Sequence, residues 1–553
     1  MSDNRIGKGN DQTVRDYHER TKHRLDRYAA SPGYMDWPNQ PDPFRTFSGA
    51  DRIQLPHPDL RRSPGYDDLF SQGTLAATPG ADVIARLFYH GMALSAWKQA
   101  PHTIPWSLRI NPSSGALYPT ECYLVAGEVA GLIEPPGVFH YAPLNHCLER
   151  RCRLSRTQWL TLSEGFPAGC LFIGLTSIYW RESWKYGERA FRYCHLDVGH
   201  AIGAIGFSAQ TMGWRMQLLA TIADADSARL LGIHLQSGIE AEHVDCLLVL
   251  YPASVDPNET AVTGGQFAQW SARIPDATFK GTPNRLSREH RRWPAIDAVA
   301  RAVQNPSAVG AGSPMPPPCT GPQPAALIPA RRHPAEQIIR QRRSAVNMDA
   351  TTSLDRPVFY QMLQRTLPVH FPFAALPWEP RVSLAIFVHR VDDLAPGLYL
   401  LARTGDHENA LRQSLRSDFQ WGRTAGCPQA LRFYRLLAED VKRVAKAISC
   451  HQDIAADGAF SLGMLAQFDA PLAGGKAWNY PRLFWECGLI GQVLYLEAEA
   501  AGVRGTGIGC FFDDVMHEML GLADHAWQSL YHFTVGGPVE DRRLKTIAAY
   551  DHR

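Results

Sequence analysis

The segment Asn111-Pro-Ser-Ser-Gly-Ala-Leu-Tyr-Pro-Thr-Glu121 combines residue types that suit contact with a flat ligand that has a polar edge. A glycine lets the backbone approach such a ligand closely, and the neighbouring serine hydroxyls and amides can hydrogen-bond to its edge. By itself a Pro-Ser-Ser-Gly turn is an ordinary surface loop. The candidate ligand-contacting residues in and just before this segment are Arg109, Pro112, Ser113, Ser114 and Gly115.

Two other short segments carry side chains for proton or anion chemistry. Lys185 and Tyr186 are adjacent. The ordinary pKa of lysine and tyrosine side chains is about 10, so such a group acts as a base near neutral pH only with burial or a neighbouring cation. Adjacent side chains diverge on a regular element, whereas a turn could direct both into one pocket. The run Arg342-Arg343-Ser344 offers two forked donors and a hydroxyl, but most such basic runs, like most Lys-Tyr pairs, are solvated.

The full string from Asn111 to Pro119 resembles the flavin-binding loop of the SagB-type dehydrogenases, a branch of the nitroreductase-like FMN flavoproteins. This resemblance implies FMN as the cofactor. It also implies a catalytic role for Lys185 and Tyr186, because azole-forming members have a Lys-Tyr pair before an arginine-bearing helix. The glycine-rich segment Gly505-Thr506-Gly507 is expected as a turn that contacts the cofactor. Its spacing does not match Gly-x-Gly-x-x-Gly, which argues against a dinucleotide-binding Rossmann site.

The same resemblance implies a ligand for the arginine run. At the start of a nitroreductase-like domain, Arg342-Arg343-Ser344 resembles the family's phosphate-binding signature, in which the two guanidinium groups and the hydroxyl bind the FMN phosphate. The family often has another basic residue two positions after the serine, where this chain has Val346. Near the C-terminus, the residues that would restore the missing charge are Arg542 or Arg543.

A proline-rich connector divides the chain. Residues 306–329 hold eight prolines in 24 residues, a composition typical of an extended and poorly packed segment. Ahead of the first half, a charged stretch near Val14–Tyr28 is predicted to be helical and to wrap the first domain. The predicted units are an N-terminal extension at 1–75, a first domain at 76–300, a linker at 301–332 and a second domain at 333–553.

The two halves are related to each other. Three pairs of segments align in the same order, namely Pro136–Phe139 with Pro396–Tyr399, Leu171–Leu175 with Phe460–Met464, and Arg192–Trp214 with Pro481–Val503. The offset is 260 residues for the first pair and 289 for the other two, so the second half has a 29-residue insertion, with a predicted amphipathic helix near Pro428–Ile448. The alignment predicts a duplicated α+β domain.

The last aligned pair predicts a long helix in each half, with small residues that permit close helix contact. Nitroreductase-like proteins are usually homodimers joined through a long central helix, with FMN at the subunit interface. The resemblance therefore implies that two tandem nitroreductase-like domains form a pseudo-dimer within one chain. Plain helix packing inside one domain is the alternative interpretation.

The motifs are distributed unequally between the halves. The first half has the serine loop and the Lys185-Tyr186 pair, whereas the second half has Gly474-Gly475 at the offset of that pair. The second half has the arginine run, and the equivalent region of the first half reads Phe88–Ser95. In homodimeric relatives one subunit supplies the loop and the other the arginines. The split therefore favours one complete FMN site and one decayed site per chain over two sites.

Composition excludes several other classes of protein. The formal net charge of +2 over 553 residues gives no reason to expect a nucleic acid partner. No apolar run approaches the roughly 20 residues of a membrane helix, and the polar N-terminus does not resemble a signal peptide. The eleven cysteines include no Cys-x-x-Cys pair, and His195 and His200 are spaced for a core role rather than a metal site. We therefore expect a cytoplasmic protein that has no structural metal.

Together these features predict an FMN-dependent oxidoreductase that desaturates a C–H/N–H or C–H/C–H pair of a small-molecule or peptide substrate. In the relatives it most resembles, a peptide azoline is aromatised to an azole and oxygen takes the electrons. One alternative is an NAD(P)H-dependent nitro or quinone reductase. Another, from a different class, is a degenerate flavoprotein that serves as a scaffold in a biosynthetic complex; the phosphate-binding arginines weigh against it.

Overall fold

A computed structural model of the chain describes residues 9–59, 63–71, 75–255, 264–306, 326–331 and 333–550. Most of the predicted linker therefore lies outside the described residues. The helices of the first half are α1 (Asn10–Arg20), α2 (Ala81–Gly91), α3 (Arg156–Ser163), α4 (Tyr179–Tyr186), α5 (Ala190–Thr211), α6 (Asp224–Leu231), α7 (Gly264–Ser271) and α8 (Pro294–Ala302). Those of the second half are α9 (Ala335–Gln341), α10 (Arg356–Arg365), α11 (Gly405–Ser414), α12 (Lys442–Ile448), α13 (Ile454–Asp457), α14 (Asp469–Leu472), α15 (Asn479–Ala500) and α16 (Asp513–Leu520).

The strands are divided between the halves in the same way. Those of the first half are β1 (Phe47–Ser48), β2 (Asp51–Gln54), β3 (Leu94–Gln99), β4 (Trp106–Arg109), β5 (Thr120–Ala126), β6 (Gly137–Ala142), β7 (Cys147–Arg153), β8 (Leu171–Ser177), β9 (Trp214–Leu218), β10 (His243–Pro252) and β11 (Thr282–Pro283). Those of the second half are β12 (Val382–Val388), β13 (Gly397–Ala402), β14 (Gly422–Arg423), β15 (Arg432–Leu437), β16 (Phe460–Gln467), β17 (Arg504–Ile508), β18 (Trp527–Gly536) and β19 (Lys545–Ile547).

Each half builds a seven-stranded antiparallel sheet with the same arrangement. The strand order is β2-β7-β6-β5-β8-β10-β9 in the first sheet and β14-β15-β13-β12-β16-β18-β17 in the second. The two predicted buried strands, β8 and β16, hold the same position in their sheets and are almost entirely buried. The predicted α+β fold with two tandem domains is confirmed.

The predicted long helices are α5 and α15, and glycines bring their backbones into contact. A Cβ atom on Gly199 would lie 2.3 Å from the carbonyl oxygen of Trp485, and one on Gly488 would lie 2.2 Å from that of Leu196. Neither position has room for a methyl group. Because α5 belongs to the first half and α15 to the second, these two helices join the halves as a dimer interface joins subunits.

We expect Gly488→Ala to lower the free energy of unfolding by about 1–3 kcal/mol. The added methyl would press on backbone atoms of the facing helix, and this strain outweighs the roughly 1 kcal/mol that alanine gains over glycine in helix propensity. Denaturant unfolding measures the effect. The control is Gly206→Ala on α5, where the methyl would meet only the flexible end of Met216, at 3.0 Å. Equal losses in the two variants would contradict a backbone-to-backbone contact.

The structure corrects two predicted helices. Only Lys442–Ile448 of the predicted helix at Pro428–Ile448 is helical, because Arg432–Leu437 forms β15 and pairs with β13. The first helix ends at Arg20 rather than near Tyr28. In both cases a sheet or loop partner that is distant in sequence overrides local helix preference.

The N-terminal and C-terminal segments each make contacts that join the two halves. The hydroxyl of Tyr17 donates to the carbonyl of Glu188 at 2.5 Å, while the ring of His18 lies 3.2 Å from Oε1 of Gln528. The N-terminal segment therefore packs on both halves and does not wrap the first domain alone. At the other end, β19 pairs with β3 in a three-stranded sheet that also contains β4. The hairpin that leads into the serine loop is thus completed by a strand from the second half.

None of the helices in the described ranges is long and apolar enough to cross a membrane.

Candidate functional site

The serine loop, residues 111–121, joins β4 to β5 and is held in shape by its own hydrogen bonds. Oγ of Ser113 accepts from the amide of Tyr118 at 2.8 Å, and the Tyr118 hydroxyl accepts from the amide of Arg109 at 3.0 Å. Gly115 has a φ of 64°, in the left-handed region that glycine adopts without strain. The loop therefore presents bare backbone at Gly115.

Gly115 faces the end of α4, where Lys185 and Tyr186 lie. A Cβ atom on Gly115 would be 2.7 Å from Oη of Tyr186 and 3.0 Å from Nζ of Lys185. The pair occupies the last turn of helix α4 and not an irregular turn, and Gly187, which follows the helix, has a φ of 57°. Nζ of Lys185 lies 5.2 Å from the centre of the Tyr186 ring, so both polar groups reach the serine loop.

The surroundings of Tyr186 favour a proton donor over a base. Burial raises the pKa of Tyr186 well above its ordinary value, and the negative charge of Glu182 and other nearby groups raises it further. Its ring packs edge-on against Tyr193, with 4.7 Å between the centroids. Near neutral pH the phenol therefore keeps its proton and can donate a hydrogen bond.

Two buried carboxyl groups that sequence reasoning did not assign to the site lie beneath the serine loop. Oγ of Ser113 donates to Oε1 of Glu182, and the amide of Ser114 donates to Oδ1 of Asp197, each at 3.3 Å. The second oxygens, Oε2 of Glu182 and Oδ2 of Asp197, have no hydrogen-bond partner in the described part of the chain. Glu182 precedes Lys185 by three residues on α4, so the spacing Glu-x-x-Lys on one helix face was the signal available in the sequence.

Burial makes this pair of carboxyl groups hold protons near neutral pH. Burial raises the pKa of Asp197 to about 8. Burial, followed by the charge of Asp197, raises the pKa of Glu182 well above its usual range. Two carboxyl groups in this situation titrate as a coupled pair and exchange protons in the physiological range. Such a pair can accept or release a proton during a reaction.

The residue that the repeat aligns with Asp197 has a different environment. Glu486 forms an ion pair with Arg403 and accepts hydrogen bonds from the amides of Arg381 and Val382. Its carboxylate is thus neutralised within the second half, whereas Asp197 has an ion pair with no described residue. The duplication therefore contains a structural carboxylate in one half and an uncompensated one in the other.

Arg342 is buried and Arg343 partly buried, and neither forms an ion pair with a described residue, although the carboxylate of Glu499 is close enough to affect the pKa of both. Nη2 of Arg342 donates to the carbonyl of Arg109 at 3.3 Å, while its Nε and Nη1 have no partner among the described residues. The side chain of Arg343 donates to the carbonyls of Arg340, Arg342 and Ser95. Burial, followed by the charge of Arg342, lowers the pKa of Arg343 to about 10.

A guanidinium group that is buried without a paired carboxylate is costly, by several kcal/mol per unpaired charge. An anionic ligand that reached the free Nε and Nη1 of Arg342 would offset that cost. Arg342 also contacts the backbone at Arg109, next to the serine loop. The second half therefore places a cationic site beside the serine loop of the first half.

Ser344 and the glycine-rich segment both contact the hydroxyl of Tyr495. The hydroxyl of Tyr495 lies 2.8 Å from Oγ of Ser344 and accepts from the amide of Gly507 at 3.0 Å, while Oγ1 of Thr506 donates to the carbonyl of Ala345 at 2.7 Å. Gly505–Gly507 is part of strand β17 and not the predicted turn. The glycines there admit aromatic rings: a Cβ atom on Gly507 would overlap the hydroxyl of Tyr531.

The remaining predicted cations have other surroundings. The guanidinium of Arg109 lies over the rings of Phe44 and Tyr118 and donates to the carbonyl of Pro43, so only its backbone faces Arg342. Arg542 and Arg543 are exposed, and Arg543 pairs with Asp541 at 2.8 Å.

Two other cations that sequence reasoning missed, Lys98 and Arg504, lie close enough to the arginine pair to interact with it. Burial lowers the pKa of Lys98 on β3, and the charges of Arg343 and Arg504 lower it further. Nζ of Lys98 donates to Oγ1 of Thr546 on β19 at 2.7 Å. The C-terminal strand therefore does reach this cluster, but through a threonine and not through the predicted arginines.

The equivalent location in the second half lacks these features. The counterpart of the serine loop is the segment around the 3-10 turn Phe373–Ala375, which has neither the serines nor the glycine. It borders a cavity of about 550 Å³ lined by Trp378, Arg403 and Glu486. That location has no counterpart of the Lys-Tyr pair either, because Gly474-Gly475 stands there.

Comparison with known proteins adds the family context. The sequence profile of the nitroreductase family matches residues 428–537. A protein of Methanocaldococcus jannaschii is 30% identical over 129 residues, which is 22% of this chain and 63% of that relative, so the match spans less than two thirds of the relative's length. A crystal structure from Anabaena variabilis covers 95% of this chain and 99% of its own, with a TM-score of 0.66 and 22% identity. Both are named as putative nitroreductases.

The Anabaena variabilis structure has the nitroreductase-like fold over nearly the whole length of this chain, so the two sheets and the helix pair are two tandem nitroreductase-like domains. The Escherichia coli microcin synthetase McbBCD complex, solved with truncated pro-MccB17, is also similar to part of the chain. It covers 44% of this chain and 92% of its own, with 16% identity and a TM-score of 0.27. A likeness of that size says nothing about the substrate.

Proposed function

We propose that this chain is an FMN-dependent oxidoreductase with one flavin site, assembled from both halves. Its reaction is the desaturation of a C–H/N–H or C–H/C–H pair, as in the conversion of a peptide azoline to an azole, with oxygen as the electron acceptor. The observation that carries this proposal is the juxtaposition of a glycine-bearing serine loop and a Lys-Tyr pair with two arginines that have no ion pair among the described residues, one of them with unpartnered donors.

The residues present fit FMN. Arg342 and Arg343 would hold its phosphate, and the unpartnered Nε and Nη1 of Arg342 are donors available for that purpose. Ser113, Ser114 and the bare backbone of Gly115 would lie against the ring system. When bound, FMN supplies a two-electron acceptor for hydride, and the protein supplies position and proton handling.

Proton handling falls to residues around the serine loop. Tyr186 keeps its phenolic proton and can hold a substrate heteroatom by donating from Oη. Nζ of Lys185 also lies beside Gly115 and can hydrogen-bond to a polar group of the substrate and orient it. The proton released from the substrate would pass to Oε2 of Glu182 or Oδ2 of Asp197, the two unpartnered oxygens of the buried pair.

The N-terminal segment would help to shield this chemistry from water. Nε1 of Trp184 donates to the carbonyl of Asp36 at 3.1 Å, and the amide of Glu188 donates to the carbonyl of Ala30 at 2.9 Å. These bonds lie on both sides of Lys185 and Tyr186. A covered site favours a substrate that enters by one end, such as a peptide. It disfavours a substrate that must stack on an exposed face of the flavin ring.

Cofactor stoichiometry tests the proposed function. Purified protein should be yellow and should release about one FMN per chain on denaturation, because only one location has the complete set of residues. The released cofactor is identified by mass and quantified by absorbance. Two flavins per chain would disprove the single-site arrangement, and protein that does not bind added FMN would disprove the proposed function.

Electron flow distinguishes this reaction from NAD(P)H-dependent reduction of nitro or quinone compounds. The cover formed by the N-terminal segment should make nicotinamide access slow. We therefore expect NADH and NADPH to bleach the flavin absorbance slowly without oxygen, and dithionite-reduced protein to recover its colour rapidly in air. Stopped-flow absorbance measures both. Fast bleaching that saturates at micromolar nucleotide would favour the reductase alternative.

A further inference from the structure

Cys450 and Cys510 approach each other at one edge of the candidate site. Their Sγ atoms lie 2.8 Å apart, although the residues are separated by 60 positions in sequence. Cys450 follows α12, and Cys510 follows strand β17. Both are only half-buried, whereas most cysteines in the described ranges are fully buried.

The backbone around these cysteines holds the sulfurs together. Nε2 of Gln452 donates to the carbonyl of Cys510 at 2.9 Å, and the amide of Phe512 donates to the carbonyl of Ile448 at 2.8 Å. Cys450 and His451 have φ values of 51° and 60°, which are uncommon for residues other than glycine. The sulfur contact is therefore part of a strained segment tied across to the end of β17.

The groups around Cys510 suit a reactive thiolate. The amide of Ala29 donates to Nδ1 of His23 at 3.0 Å, which leaves the proton of a neutral imidazole on Nε2. The hydrogen bond from Cys450, with smaller contributions from His23 and the charge of Arg189, lowers the pKa of Cys510 below its ordinary value.

The other groups near the pair come from three further elements. They are Tyr28 in the N-terminal segment, Tyr193 on α5 and Asp513 at the start of α16. The carboxylate of Asp513 is paired with Arg189 at 2.9 Å and with Arg192 at 2.8 Å.

We propose that Cys450 and Cys510 form a redox-active dithiol that exchanges with low-molecular-weight disulfides. The Cys510 thiolate attacks one sulfur of the small disulfide, breaks its S–S bond and forms a mixed disulfide while one small thiolate leaves. Cys450, losing its proton to solvent, then attacks Cys510 Sγ and expels the second small thiol. The two protein thiols are oxidised to one internal disulfide, and one small disulfide is reduced to two thiols.

This chemistry does not depend on the flavin, but it adjoins the candidate site. Gly509 immediately precedes Cys510, and a Cβ atom there would lie 2.4 Å from the ring of Tyr193, which packs on Tyr186. A disulfide at Cys510 would restrain the strand end that holds Tyr193 in place. The pair is thus positioned as a thiol-responsive element of the site.

The test uses the full chain, reduced beforehand and then incubated with glutathione disulfide at pH 7. After the remaining thiols are alkylated, peptide mass mapping should find Cys450 linked to Cys510, and dithiothreitol should remove the link. Cys450→Ser should instead accumulate glutathione on Cys510, because the resolving thiol is absent. Cys427→Ser, at a half-buried cysteine whose pKa burial raises, is the matched control and should leave the link intact.

A second measurement follows the thiolate directly. The rate of alkylation of Cys510 by iodoacetamide at pH 7 should exceed that of Cys427 by about 10-fold or more, and His23→Ala should reduce the difference. Absence of a Cys450–Cys510 link in the wild-type chain would overturn the proposal, and so would alkylation of Cys510 no faster than that of Cys427.

Discussion

Replacing Arg342 and Arg343 together by alanine is expected to weaken FMN binding by about 10²–10⁴-fold, so that the purified protein is colourless. Each charge-assisted hydrogen bond to a phosphate contributes about 1.5–3 kcal/mol. Arg342 is buried and Arg343 is partly buried, which strengthens their interaction with an anion. Titration of the apoprotein with FMN, followed by flavin fluorescence, measures the loss.

Two controls separate phosphate binding from a structural role. Arg342→Met with Arg343→Met keeps most of the side-chain volume and removes the charge, so it should lose FMN equally while the apoprotein keeps its thermal stability. Arg542→Ala, at an exposed position, should bind FMN like the parent chain. Normal FMN affinity in the alanine double variant, or a large stability loss in the methionine variant, would show that these arginines serve the fold and not the cofactor.

Substitutions at the Lys-Tyr pair should abolish turnover while leaving the flavin bound. We expect Lys185→Ala and Tyr186→Phe each to reduce kcat by about 10² or more, because a positioned acid or base contributes 10²–10⁴-fold. The flavin spectrum should hardly change, since the proposed phosphate ligands lie in the other half. Loss of flavin in these variants would assign the pair to cofactor packing, and full activity would show that it has no catalytic role.

The buried carboxyl pair predicts a pH signature for the same reaction. If Glu182 and Asp197 accept the proton, activity should rise with pH as the pair loses its proton near neutrality. Asp197→Asn removes the negative charge that raises the pKa of Glu182, so the pKa of the remaining carboxyl group should fall and its step in the kcat profile should shift to lower pH. A pH profile of kcat at saturating substrate measures this shift. An unchanged profile would exclude the pair as the proton acceptor.

Much of the architecture was readable from the sequence because it depends on regular hydrophobic pattern and repetition. The aligned segments predicted helices α5 and α15, strands β8 and β16, and a duplicated α+β domain, and the structure contains all of them. Local pattern failed at Arg432–Leu437, where β15 pairs with β13. Such a strand is determined by a partner 30 to 39 residues away in the chain, which periodicity within one segment does not record.

The site shows the same division between local and long-range information. Residue type and spacing by themselves determined which segments carry chemistry: the serine loop, the Lys-Tyr pair and the arginine run. Tertiary structure alone decided that Gly115 faces Lys185 and Tyr186, and that Arg342 reaches the backbone of Arg109. It also decided that Glu182 and Asp197 lie buried beneath the loop and that Asp197 lacks the partner that Glu486 has. Proximity, burial and charge compensation are properties of segments brought together by folding, so no single segment of the sequence contains them.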